Sequence, residues 1–330
     1  MKIIVDGMGG DNSPIEIVKG SVDAVIEYGI DIIIVGDQIR ITEELSKYNY
    51  PKEKIEIMNS SQIINNEDDP ALAIRRKKDS SMVVGLRALD NGVGDGFLSA
   101  GSTGALLAGG LFIIKRIEGI DRAALASLYP HINGLSLLVD AGANVDCKPE
   151  YLKQFGVMGS IYMEHVMDIN KPKVGLVNIG TEEGKGNTLT KEAYELLKNS
   201  PINFIGNVEA RQLPTGDADV ILCDGFVGNV ILKLTEGMAI SIFAYLKEIF
   251  LRNIGTKLGA LLLKPGLKEL KGKMDYREYG GAPLLGTRKP IVKAHGSSDA
   301  LAIKNAIRQL INFIDKDVIN IITKNINNIE

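Results

Sequence analysis

The feature that most constrains the fold is a repeated unit. A short apolar run ends in a cluster of small residues, and a longer stretch with helical spacing follows. Strand-like runs fall at Lys2–Val5, Asp31–Val35, Lys54–Met58, Gly96–Ser99, Leu135–Val139, Lys173–Asn178, Asn203–Ile205, Asp219–Cys223 and Pro290–Lys293. Between and after them, helical spacing covers Pro14–Tyr28, Gln38–Lys47, Pro70–Arg76, Met82–Leu89, Ser102–Lys115, Pro149–Val166, Leu189–Lys198, Val227–Phe250 and Ser298–Ile326. Such alternation predicts an α/β chain, a three-layer α/β/α sandwich with a mainly parallel sheet covered on both faces. Ser13 is placed to cap the first helix, Pro14 falls in its first turn and Gly29 just past its end. No low-complexity linker breaks the chain. One domain over residues 1–330 is expected, with a local amphipathic helical insertion at 250–273.

Five of the strands end in small residues: DGMGGDNSP from Asp6, AGSTGA from Ala100, DAGANVD from Asp140, IGTEEGKGN from Ile179 and DGFVGN from Asp224. In open α/β sheets the carboxyl ends of strands line the ligand crevice, and helix N-termini there suit an anion. The bland alternative is a set of tight turns that need glycine. A dinucleotide cradle is not indicated: Gly7 and Gly9 fit the fingerprint, but Asn12 holds the third glycine position and Asp6 would face the pyrophosphate. The phosphate-loop spacing fails at Gly180 and Gly184, and Ser102 does not sit in a nucleophile elbow. Asp6, Asp140 and Asp224 each end a strand before a small residue. They are read as loop-organising groups, holding N–H donors in place behind an anion rather than touching it.

Composition narrows the partners. A net charge of −3 gives no global basic field, so nucleic acid is not expected and any cationic surface is local. Cys147 and Cys223 form no CxxC pair, and His131, His165 and His295 form no HExxH pattern, so no metal and no cofactor are expected, in a reduced, cytoplasmic setting. The chain begins directly in a strand, and no wholly apolar run approaches the ~18 residues of a membrane span. Cys223 ends an apolar strand, which fits a small buried residue better than a nucleophile. His295, in AHGSSDA, either works beside N–H donors and hydroxyls or packs behind a helix cap made by Ser297 or Ser298.

Read in order, DGMGGDNSP, DDPALAIRRKKDSSM, SAGSTGALLAGG, VDAGANVDCKPEYLKQFGVMG, VGLVNIGTEEGKGN, NFIGNVEARQLPTGDADVILCDGFVGNVILKLTEG, YGGAPLLG and VKAHGSSDALAIKNAI resemble the bacterial phosphate acyltransferases of phospholipid synthesis, from Met1 to about Ile307. Gly7 stands where that family often has alanine and Ser102 where it often has asparagine, so neither side chain is given a catalytic role. The resemblance implies that inorganic phosphate attacks the thioester of a long-chain acyl-[acyl carrier protein], giving acyl phosphate for a membrane glycerol-3-phosphate acyltransferase. It also implies a fold similar to isocitrate and isopropylmalate dehydrogenases and phosphotransacetylases, and a homodimer. Phosphate is already an anion, so such a site must orient it and stabilise an oxyanion. The residues placed to do so are Gly184, Lys185, Gly186 and Asn187, the Gly225–Asn229 turn with Gly225 and Gly228, and His295 with Ser297. His295, Lys185 and Asn229 are the catalytic candidates. Lys185 reads equally as an exposed loop lysine.

Two surfaces are expected to meet partners. Arg75, Arg76, Lys77 and Lys78 form the densest cationic run, suited to an acidic carrier protein or simply to a solvated helix end. In the insertion, Leu258, Leu261, Leu262 and Leu263 make an apolar tip before a break at Pro265–Gly266. Lys257, Lys264, Lys268, Lys271 and Lys273 rim the tip. This pattern suits loose, peripheral membrane contact or an acyl groove. Two other readings stay open: a decarboxylating NAD-dependent dehydrogenase of similar fold, and a non-catalytic scaffold for the carrier protein.

Overall fold

The computed structural model describes residues 1–273 and 279–326. Eleven strands form one sheet: β1 (Lys2–Asp6), β2 (Asp31–Gly36), β3 (Ile55–Asn59), β4 (Gly96–Ser99), β5 (Ala124–His131), β6 (Gly134–Val139), β7 (Lys173–Asn178), β8 (Asn203–Glu209), β9 (Val220–Leu222), β10 (Ala282–Leu285) and β11 (Ile291–Lys293). Their order is β3-β2-β1-β4-β11-β10-β5-β6-β9-β7-β8. Two parallel blocks, β3-β2-β1-β4-β11 and β6-β9-β7-β8, are joined by β10 and β5, which pair antiparallel to each other and to their outer neighbours.

That antiparallel pair is absent from the sequence reading. Pro130 and Pro283 interrupt the two runs, and proline cannot donate to a ladder. The consequence is large. Three successive antiparallel pairings invert the second block relative to the first, so the five glycine-bearing loops do not line a single edge. They gather as two groups, after β1 and β4 and after β6, β9 and β7, and the loop after β11 joins the first group.

The helices are α1 (Ile15–Tyr28), α2 (Gln38–Leu45), α3 (Pro70–Arg76), α4 (Ser81–Asp90), α5 (Thr103–Gly109), α6 (Pro149–His165), α7 (Thr188–Lys198), α8 (Gly225–Leu251), α9 (Ile254–Lys273), α10 (Ala300–Asp315) and α11 (Val318–Ile326). Alternation along the strands assigns each face. Ile3, Val5, Ile32, Ile34 and Leu98 pack with α1 and α10, whereas Ile4, Ile33, Val35 and Phe97 pack with α4 and α5. In the second block, Leu137, Val139, Val220 and Leu222 face α6 and α11, and Leu138 and Ile221 face the start of α8. The inner parallel strands are buried on both sides, as a three-layer sandwich requires, and the edge strands β3 and β8 are partly exposed.

Several local expectations change. Ser13 does not cap α1; its hydroxyl donates to the carbonyls of Met8 and Gly10. Gly29 does close α1, in the left-handed region at φ 66°. The last helix is two, α10 and α11, with Asp317 between them at φ 51°. Asp299, not Ser297 or Ser298, caps α10 by accepting from the Ala302 N–H at 3.0 Å.

The insertion differs most. Pro265 does not end a helix but lies inside α9, and the turn of the hairpin is at Arg252–Asn253, between α8 and α9. Leu258, Leu261, Leu262 and Leu263 are all exposed, Leu262 at 83%, along the returning arm rather than at a tip. The side chains of Lys271 and Lys273 lie outside the described residues. By length and composition α8 is sufficient to cross a bilayer, although its sequence carries Lys233, Glu236, Lys247 and Glu248.

Candidate active site

The first loop group is built on two buried residues, Asp6 and Lys293. Asp6, 2% exposed, accepts from the Met8 N–H at 3.2 Å and from the Ser99 hydroxyl at 2.7 Å. The Ser99 oxygen accepts in turn from the Gly101 N–H at 3.0 Å. One carboxylate thus ties the ends of β1 and β4 together. Gly9 is packed so closely on Gly101 that a Cβ there would meet the Gly101 nitrogen at 2.7 Å. Gly10, at φ +93°, lies under the Gly296 carbonyl, which accepts from the Asp11 N–H at 2.8 Å. The β1 and β11 loops are thereby joined. Burial pushes the Asp6 carboxyl above its ordinary range, opposed by bonds from Ser81, Ser99, Met8 and Gly9.

Lys293 is 8% exposed, and its ammonium donates to the carbonyls of Ala100, at 3.3 Å, and Ala294. Desolvation pulls its pKa down to about 8, against the nearby charges of Asp6 and Asp11. Two residues on, His295 Nδ1 stands 2.8 Å from the Ser297 hydroxyl and accepts from the Ser297 backbone N–H at 3.2 Å. Desolvation and then Lys233 hold the His295 ring below its ordinary pKa, which favours its neutral form.

The second group centres on Asp140, which is fully buried. Its Oδ1 accepts from the N–H groups of Leu125 at 3.1 Å, Gly142 at 3.1 Å and Ala143 at 2.9 Å. Its Oδ2 accepts from the backbone and side-chain nitrogens of Asn144, both at 2.7 Å. Burial raises its pKa, and these donors work against the rise. Asp224 is simpler: it caps α8 through the Val227 N–H at 2.9 Å.

Gly225 and Gly228 are spoken for by the fold. The Gly225 N–H donates to Asn144 at 2.7 Å and that of Gly228 to Asp224 at 3.0 Å, and a Cβ on Gly228 would overlap the Asp140 carbonyl. They let α8 meet the β6 loop; of that turn, Asn229 offers a side chain, which lies against Gly142.

The β7 loop is held by two asparagines that sequence reasoning passed over. Asn178 donates to the Lys185 carbonyl and to Asn207, each at 3.1 Å, and Asn207 donates to the Glu182 carbonyl at 2.9 Å. Gly186, at φ +99°, turns the chain hard against Asn178 and Thr190, and Asn187 caps α7 through the Thr190 N–H at 2.9 Å. Gly184 is open. Lys185 is half exposed, its ammonium 3.9 Å from Glu182. A 370 Å³ hollow runs between this loop and the other two of the group, lined by Val145, Cys147, Asn187, Asp224 and Phe226 among others. Burial pushes the Cys147 thiol up to about 12 and that of Cys223 well above its usual value, so neither is a ready nucleophile.

A close approach that crosses between the groups comes from α8: Lys233 Nζ lies 3.3 Å from His295 Nε2 and 2.9 Å from Glu236. Lys233 and Lys293 lie in stretches that carry the family resemblance but had no role assigned to them; the first is a helix lysine and the second a buried lysine at a strand end, and neither stands out until its neighbours are known. Among the described residues no group of three His, Cys, Asp or Glu side chains is placed to hold a metal ion.

The cationic run is split by the fold. Arg75 lies over the Phe112 ring at 5.2 Å, and Lys77 is bound to Asp68 at 2.5 Å and to the Ile63 carbonyl at 2.9 Å. Arg76 and Lys78 are exposed.

A sequence model of a family described as fatty acid synthesis protein matches residues 1–321. A phosphate acyltransferase of Alkaliphilus oremlandii is 60% identical over 329 residues, covering 100% of this chain and 98% of that protein. Among solved structures, a phosphotransacetylase of Streptococcus pyogenes superposes with a TM-score of 0.63 at 17% identity, covering 96% of this chain and 94% of that one. A 4-hydroxythreonine-4-phosphate dehydrogenase of Klebsiella pneumoniae superposes at 0.55 with 12% identity, over 95% and 99%. The two structural likenesses speak for the fold alone.

Proposed function

The chain belongs to the phosphate acyltransferase family, and from that premise we infer that it moves a long-chain acyl group from the thioester of an acyl-[acyl carrier protein] to inorganic phosphate, for phospholipid synthesis. The observation that carries this reading is the 60% identity to a phosphate acyltransferase across the whole chain. The geometry is compatible with it. Loops held rigid from behind by Asp6, Asp140 and Asp224 present donors without needing the carboxylates to touch an anion. Preorganised donors of this kind are what an acyl transfer needs, each well-placed one being worth ~3–4 kcal/mol in studied enzymes.

Within this reading Lys185, with the backbone at Gly184, Gly186 and Asn187, meets phosphate. Asn229 and His295, with Ser297, act at the reacting centre. Gly225 and Gly228 serve by placing Asn229. Arg75, Arg76 and Lys78 face the acidic carrier, and Lys77 acts there mainly by closing the end of α3. The decisive test is incubation of the pure protein with palmitoyl-carrier protein and phosphate. Acyl phosphate and free carrier thiol are expected in equal amounts. Reduction of a nicotinamide cofactor by a hydroxy acid, with no acyl phosphate, would favour the dehydrogenase reading instead.

The hairpin supports two further assignments. On α8, Val230, Leu234, Met238, Ile242, Tyr245 and Ile249 are exposed at spacings of three and four, a stripe that suits the same stripe of a second copy in a homodimer. On α9, Ile254, Leu258, Leu261 and Leu262 are exposed among lysines, a surface suited to peripheral contact with an anionic membrane. There a membrane glycerol-3-phosphate acyltransferase would take the product, and the enzyme would otherwise be cytoplasmic.

A further inference from the structure

We propose that Lys233 is a further catalytic residue: its ammonium and the Nε2–H of His295, arriving from α8 and from the β11 loop, together hold one oxygen of the attacking phosphate. This rests on the acyl transfer to phosphate inferred above. Lys233 follows Asn229 by one helical turn, so both side chains leave the same face of α8. The first meets the β6 loop at Gly142 and the second meets His295, so the start of α8 spans the two loop groups.

The hydrogen positions on the ring follow from the backbone. The Ser297 N–H is fixed by the chain and points at Nδ1, 3.2 Å away, so Nδ1 accepts. A neutral ring then carries its proton on Nε2, the nitrogen 3.3 Å from Lys233 Nζ. Two donors converge on one point, one of them charged. They cannot satisfy each other, but an anionic oxygen bridges both through short, charge-assisted bonds. A thioester sulfur is a weak acceptor and gains less there. Glu236, 2.9 Å from Lys233, holds the ammonium in place. The buried Lys293, two residues before His295, adds positive potential to the same corner, set against the charges of Asp6 and Asp11.

The test uses Lys233→Met, Lys233→Arg and wild type, assayed at varied phosphate and varied palmitoyl-carrier protein. Calorimetric titration of inorganic phosphate into each free protein runs alongside. Lys233→Met should raise the phosphate KM at least about tenfold, weaken calorimetric phosphate binding in step and leave the carrier KM within about twofold. Lys233→Arg should recover most of the phosphate affinity. Unchanged phosphate affinity with a fallen kcat would overturn the proposal and move Lys233 to the leaving-group side. Unchanged kinetics throughout would overturn it outright. If Lys233→Met melts well below wild type, Lys233→Gln carries the same comparison. Wild type that binds phosphate but makes no acyl phosphate would sink the reaction while leaving the anion subsite standing.

Discussion

Lys293 shows how much a single buried charge can set. Its folded pKa of about 8 lies below the ordinary 10.5. Between those values the unfolded chain binds more protons than the folded one, so stability rises with pH across that window. Below it the fold carries the full cost of a buried ammonium. Lys293→Met removes this dependence. Urea unfolding of wild type and variant at about pH 7.5 and about pH 9.5 should show wild type gaining roughly 1–2 kcal/mol over the variant on going up. Parallel pH dependence in the two proteins would mean that Lys293 is not desolvated. Asp140 is buried too, and there the donors around it offset the cost of burial. Asp140→Asn keeps the shape but turns an NH2 toward the Asn144 nitrogens, and should cost on the order of 3 kcal/mol in urea unfolding. Lys185, exposed and loosely paired, should matter for substrate alone. Lys185→Ala is expected to raise the phosphate KM more than the carrier KM while leaving the urea midpoint unchanged, and an unmoved phosphate KM would return the residue to ordinary surface.

At the scale of elements, the hairpin of α8 and α9 is the part least explained by the core. Of α8, only Gly225 and Gly228 are fully buried; Val227, Ile231 and Leu232 pack on the core in part, and most of the later residues are exposed or half-buried. Covering a leucine is worth ~1.5–3 kcal/mol, so an uncovered stripe of six apolar residues is a strong pull toward a partner. The two stripes should separate by mutation. Leu234→Glu with Met238→Glu is expected to give monomers in sedimentation velocity. Leu261→Glu with Leu262→Glu should abolish pelleting with anionic vesicles yet leave the dimer and turnover of soluble substrate largely intact, since a lysine near such a surface adds only about 1 kcal/mol. Monomers from the α9 pair, or vesicle loss from the α8 pair alone, would exchange the two assignments.

Across the whole molecule, the reversal of strand direction at β10 and β5 sets how the candidate site is assembled. It separates the glycine-bearing loops into two groups, and α8 then reconnects them through Lys233 and His295. A site assembled this way depends on the two blocks keeping their spacing, while its reactants are an anion and a thioester. Activity should therefore rise saturably with phosphate and persist in excess EDTA. Loss on chelation with recovery on adding a divalent ion would contradict this.

The sequence by itself determined the layers, the strands of both parallel blocks and the family. Period-two and period-3.6 patterns are local, and the glycines that end strands are needed by local turns. It also placed Asp6, Asp140 and Asp224 behind the loops, because a carboxylate at a strand end has backbone N–H groups within reach whatever lies beyond. It could not supply β5 and β10, whose prolines and small residues form strands only because neighbours on both sides pair with them. It could not show that Pro265 continues a helix, that the N–H groups of Gly225 and Gly228 are already used, or that Lys77 is tied to Asp68. Nor could it single out Lys233 and Lys293. What distinguishes them is what they approach, 62 residues away in one case and 193 in the other, and contacts at that separation are set by packing of the sheet rather than by any local pattern.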